Sequence, residues 1–149
     1  MDIIEYINKV NKEWHPDLLE ENEISEMFMN KILFMIYGEF YAKYEMELWK
    51  PKFVAGKYGP IELNNYQRYR FEPLPECLEL KESIDILKLS YNQVSWLHKE
   101  IIRILRHSMF NVIDYICHNF ECWKTHYDNN EEEIPNNEIR EEFIKILKK

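Results

Sequence analysis

The sequence predicts a mainly α, single-domain helical bundle over residues 1–149, with one short extended or β element around residues 52–61. Three observations predict it. Hydrophobic content is 46% and aromatic content 15%, enough to close a core in a chain of 149 residues. Glycine occurs 3 times and proline 6 times, too few for the turns of an all-β fold. Apolar residues recur at helical spacing along most of the chain, and the period breaks between Pro51 and Pro60.

Taken in order, "MDIIEYINKVNKEW" sets Ile3, Ile7, Val10 and Trp14 on one helical face, with Asp2 placed to cap its start. "HPDLLEENE" is an acidic connection in which Pro16 redirects the chain. The strongest helix runs from about Ile24 to Met46. Its stripe of Ile24, Met27, Phe28, Lys31, Ile32, Met35, Phe40 and Tyr44 is wide enough for a central position. Gly38 costs that helix about 1 kcal/mol against alanine, which is either a local weakness or the mark of a close neighbour. Phe53 to Gly56 reads as a short strand or ribbon bounded by Pro51 and Gly59-Pro60, with Ile61 opening the next element. Glu62 to Tyr69 reads as a short helix, "FEPLPECLEL" as a proline-punctuated loop, and Lys81 to Lys88 as another helix. Ser90 is the expected N-cap of a helix with Val94, Leu97, Ile101, Ile104 and Leu105 on one face. Ser108 repeats the device ahead of Val112, Tyr115 and Ile116. "FECWKTHYDNNEEEIP" reads as a loop. Asn136 or Asn137 then caps a last helix carrying Ile139, Phe143 and Ile146, whose Glu-rich start and Lys-rich end suit the helix dipole.

The formal net charge of −8 argues against a nucleic-acid surface; a basic partner, or no charged partner at all, fits better. No membrane span is expected, because the apolar run from Ile32 to Tyr37 is too short. Asp2 and Glu5 stand where a signal peptide would be basic, and the cysteines Cys77, Cys117 and Cys122 form no disulfide framework. A cytoplasmic protein with reduced thiols is therefore expected.

Cys117, His118, Cys122 and His126 are all zinc-ligand types close in sequence, but they match no metal spacing. Cys117 and His118 are adjacent, so on a helix they diverge by about 100° and form a poor thiol–imidazole pair. G-x-S-x-G, P-loop and G-x-G-x-x-G motifs are missing. Neither catalysis nor a cofactor nor a metal is expected; a Cys/His metal-dependent enzyme is the remote alternative. In "CHNFECW", His118 is expected to satisfy a helix-end carbonyl and Trp123 to fold back as an apolar plug.

Three segments together resemble the Panacea antitoxin domain family, the phage-associated GepA-like and SocA-like group. The helix "NKILFMIYGEFYAKYEMELW" supplies Lys31 and Tyr37 to the family's K-L-x-Y core, with Tyr37 one turn later than that spacing. "FVAGKYGPIELNNY" supplies Phe53, Ala55, Tyr58, Gly59, Pro60, Ile61 and Tyr66 to a pattern of the form F-x-A-W-x-x-G-P-V with a following tyrosine. "SMFNVIDYICHNFECW" supplies Ser108, Val112, His118 and Trp123 to a late S, H and W motif, with one extra residue before the histidine. Ile134 and Ile139 match the closing helix. The likeness covers roughly residues 24–147. Gly56 departs from it, standing where the family has tryptophan, and "ILFMI" replaces a leucine-rich turn. The resemblance implies a domain that neutralises a cognate toxin by direct contact. A proteolytic adaptor or regulatory interaction protein is the alternative it leaves open. Tyr58, Tyr66 and Tyr69 are the expected contact residues, and Gly59-Pro60 is expected to shape the turn that carries them.

Overall fold

The computed structural model describes residues 3–14, 24–64, 88–130 and 133–147. Among them are six α-helices and a three-stranded antiparallel sheet, in a mainly α fold. The order is α1 (Ile3–Lys9), continued by one turn of π-helix (Val10–Trp14), α2 (Glu26–Tyr44), β1 (Phe53–Gly56) and β2 (Gly59–Glu62). Then come α3 (Tyr91–Leu105), α4 (Met109–Asn119), α5 (Glu121–Asp128), β3 (Glu133–Ile134) and α6 (Asn136–Leu147).

Helix α2 is central, and more so than a one-sided stripe implies. Every residue from Phe28 to Phe40 is buried, because α6, β2, α3, α4 and α1 surround it. Ser25 starts it by accepting the Phe28 amide at 3.1 Å, and Glu45 ends it in the left-handed region at φ 55°. Gly38 marks a close approach: a Cβ there would collide with the Phe143 ring of α6. Phe34 of α2 centres an aromatic cluster, edge-on to Phe53 at 5.5 Å and to Phe120 at 5.1 Å, with Phe143 tilted against it at 5.3 Å. Each such pair adds about 0.5–1.5 kcal/mol beyond its area burial. The cluster locks β1, the α4–α5 junction and α6 onto α2.

Helix α3 follows its sequence signals. Ser90 and Gln93 close a capping box, and Val94, Leu97, Ile101, Ile104 and Leu105 are all buried. Ser108 caps α4 through the Asn111 amide at 3.1 Å. The inner face of α4 is Val112, Ile113 and Ile116, and Tyr115 lies half outside. The face is rotated from the expected stripe so that Ile113 takes the inward place.

Several expectations are corrected. The ribbon is a hairpin: Ile61 lies in β2 instead of opening a new element, and Gly56 pairs with Gly59 across the Lys57–Tyr58 turn. The segment expected as a loop after Phe120 forms α5. Phe120 offers no side-chain cap, but the Glu142 carboxylate of α6 accepts the Glu121 amide at 2.8 Å and the Cys122 amide at 3.2 Å. Glu133 and Ile134 form β3, pairing with Val54 and Phe53. Asn136 is the first residue of α6, and its side-chain amide donates to the Pro51 carbonyl at 2.9 Å.

Of the expected helix Glu62–Tyr69, Glu62 ends β2, Leu63 and Asn64 are helical, and the rest lies outside the described residues. So do Asp2, Pro16, the 71–80 loop and the 81–88 helix except Lys88, a turn residue at φ 57°.

Candidate functional site

The residues that carry the motif converge on the β1–β2 hairpin. In the sheet order β2-β1-β3, β2 is an edge strand, with outward backbone groups that need partners. Helix α2 supplies them from two adjacent residues. Asn30 Oδ1 accepts the Glu62 amide at 2.9 Å, and Lys31 Nζ donates to the Pro60 carbonyl at 3.1 Å. Lys31 is 2% exposed. Burial lowers its pKa to about 8, with the neighbouring Cys117 acting weakly in the opposite direction. Burial in turn raises the Cys117 thiol, with Lys31 opposing.

Gly59 makes this seat possible in two ways. Its φ of 119° lies where a side chain is strained, and a Cβ would stand 2.9 Å from Lys31 Cε. At the other side of the tip, Trp123 of α5 donates its indole N–H to the Gly56 carbonyl at 2.7 Å and stacks on Tyr127 at 5.5 Å. Phe53 is fully buried at the base. It touches Tyr37, whose hydroxyl donates to Glu47 at 2.7 Å beneath Arg140. Burial first, and then Glu47, push the Tyr37 phenol upward. Glu62 is buried too, and its carboxylate accepts the Lys52 amide at 2.9 Å. A frame of buried side chains thus holds the hairpin from α2, from α5 and from the core.

What the frame presents is the turn itself. Tyr58 is 53% exposed, with the Lys57 ammonium 5.5 Å from its ring centre. Ala55 is half-buried beside the frame. Tyr66 and Tyr69 lie outside the described residues. Ile134 and Ile139 are fully buried, and Ser108 acts as a cap.

The Cys/His group does not assemble. His118 is exposed, with Nδ1 2.7 Å from the Asp114 carbonyl one turn back, a carbonyl inside α4 and not one of its end carbonyls. Cys122 is buried at the start of α5, where burial and then Glu142 raise its thiol. His126 pairs with Glu138 at 2.9 Å. Among the described residues no group of three or more His, Cys, Asp or Glu side chains could hold a metal. Nor is any described helix long and apolar enough to cross a membrane.

The sequence did not point to Asn30 or to the Trp123–Gly56 bond. Asn30 beside Lys31, two polar residues inside an apolar stripe, was the available signal for the first. Nothing local signals the second. No protein-family model, curated protein or solved structure matches the chain.

Proposed function

We propose that the chain is an antitoxin-like interaction protein that neutralises a cognate toxin by direct contact, as the Panacea resemblance implies, and has no turnover of its own. The observation that supports this reading is the hairpin. Lys31, Phe53, Gly59, Pro60 and Trp123, residues on which the resemblance rests, form one frame around a tip whose tyrosine points outward. A rigidly mounted tyrosine gives a large contact area at low entropic cost. The net charge of −8 suits a basic toxin and would speed its capture.

Co-expression tests the reading. The neighbouring toxic gene alone stops growth, and adding this chain restores it. Replacing Tyr58 and Tyr66 with alanine weakens protection while the far-ultraviolet circular dichroism stays unchanged. If no neighbouring gene is toxic and the wild-type chain binds no protein of its own cell, the reading fails.

A further inference from the structure

Farther along α2, on the helical face that also carries Lys31, helices α2, α3, α4 and α6 leave an open groove of about 710 Å³. Its walls combine apolar Met35, Trp96, Ile104, Val112, Ile144 and Leu147 with polar Lys43, Glu100, Arg103, His107 and Asn111. One of its acids is nearly enclosed. Glu39 of α2 lines the groove with its side chain 7% exposed. Its Oε1 accepts from Arg103 Nη2 at 2.8 Å. Its Oε2 finds no donor among the described residues, and the neighbouring group on that side is a second carboxylate, Glu100. Arg103 divides its Nη2 between Glu39 and Glu100 and gives its Nε to Glu100 at 3.1 Å. A buried acceptor without a donor is costly unless something supplies the donor.

We propose that this groove receives an apolar helix of the partner protein carrying one lysine or arginine, whose cationic head donates to Glu39. The proposal rests on the antitoxin-like reading and adds the surface and its chemistry. Arg103 is the cation that the structure sets on Glu39 and Glu100, and Lys43, the other cation of the groove, lies over the Tyr44 ring at 5.7 Å, so the free Glu39 oxygen can still take a donor. An apolar stripe with a single polar anchor is the way a helix seats in a groove. The chain's net charge of −8 favours the same sign of partner. Leu147, at the end of α6, is an exposed part of the groove wall.

In the free protein a proton takes the place of the missing donor. Burial first, and then Glu100, raise the Glu39 carboxyl, with Arg103 opposing. Burial works against Glu100 as well, but hydrogen bonds from Glu39 and Arg103 hold it down. The other groups around the groove are Lys43 on α2, His107 after α3 and Tyr115 on α4; α6 brings apolar Ile144 and Leu147. A cation seated on Glu39 therefore displaces a proton, and binding strengthens as pH rises.

The test titrates the purified chain with a capped helical peptide that has a leucine face and one central lysine. Control peptides carry norleucine or glutamate in place of the lysine. The lysine peptide should bind about tenfold or more tighter than the glutamate peptide, release a proton on binding, and shift the NMR signals of Trp96, Val112 and Leu147. Glu39→Gln should remove the preference for lysine over norleucine. Ala42→Glu and Leu147→Glu, at partly exposed positions on the groove wall, should weaken binding of all three peptides with unchanged circular dichroism. Equal binding of the lysine and glutamate peptides, or no shift in the groove, overturns the proposal. An intramolecular occupant, seen as contacts from the groove to residues 65–87 of the same chain, overturns it as well. Growth protection separates the two readings. If the wild type protects and Ala42→Glu with Leu147→Glu protects equally well, the groove is wrong and the antitoxin-like reading stands. If the peptides behave as expected but no neighbouring gene is toxic, the groove stands and the antitoxin-like reading falls.

Discussion

Gly59 and Trp123 concentrate the residue-scale chemistry of the hairpin. Gly59→Val puts a β-branched side chain at φ 119° and a Cβ 2.9 Å from Lys31 Cε, so strain and loss of the lysine seat add together. The expected loss is about 1–3 kcal/mol, read as a lower midpoint in urea with the slope unchanged; an unchanged midpoint would contradict it. Trp123→Ala removes a nearly buried indole and its 2.7 Å bond to Gly56, at an expected cost of about 3–5 kcal/mol. Trp123→Phe keeps most of the volume and loses the donor, so it should fall between alanine and wild type. If phenylalanine matches wild type, the bond to Gly56 contributes nothing. A turn beside Gly59-Pro60 was visible in the sequence because glycine permits backbone shapes that other residues resist and proline fixes its own φ, although the turn falls on Lys57–Tyr58 and the pair opens β2. The reason for Gly59 was not. It lies in a lysine 28 positions earlier in the chain, and its bond to Pro60 spans 29. In the sequence Lys31 reads as a polar residue in an apolar stripe.

Elements with local signals were legible, and those built by distant partners were not. Helix α3 carries its own capping box and a clean apolar period, so its start and inner face agree with expectation. Helix α5 was missed because its start is held by Glu142, which lies 20 and more residues away on α6. The two-residue strand β3 is too short for any periodicity and exists through its pairing with β1. Helix α2 was legible as central, but its burial on every side has a consequence for pH. It buries Glu39 with a raised pKa and Lys31 with a lowered one. Between 4.5 and about 9 the folded chain holds a proton on Glu39 that the unfolded chain has lost, so this stability is full below 4.5 and is lost as pH rises through about 9. Between about 8 and 10.5 the unfolded chain binds the extra proton at Lys31, so stability rises with pH in that window. Cys122 and Tyr37, whose raised thiol and phenol keep protons that the unfolded chain sheds above 9.0 and 10.0, oppose that rise. Thermal melts should therefore show stability falling as pH rises from 4.5 toward 8, with no net recovery above 9. Glu39→Gln should flatten the fall below pH 8, and Lys31→Met should steepen the fall above 9. A falling limb that persists in Glu39→Gln would assign it to another group.

At the scale of the molecule, the mainly α class followed from composition and period, which depend on the chain as a whole. The groove did not, because it is lined by four helices and no single stretch of sequence contains it. The candidate site was legible in part. Lys31, Gly59, Pro60 and Trp123 were named from a motif, and the structure gives them a shared physical task, holding the hairpin. That division of labour makes the central proposal concrete: the frame is structural, and the outward surface is proposed to hold a partner protein. The most direct measurement is size-exclusion chromatography with light scattering on this chain mixed with the purified product of the neighbouring gene that the proposal expects to be toxic. The account expects one peak with the summed mass of both chains, reduced by Tyr58→Ala without loss of helical signal. Two separate peaks at micromolar concentration, from a pair in which the neighbour is toxic and the chain is folded, would contradict it.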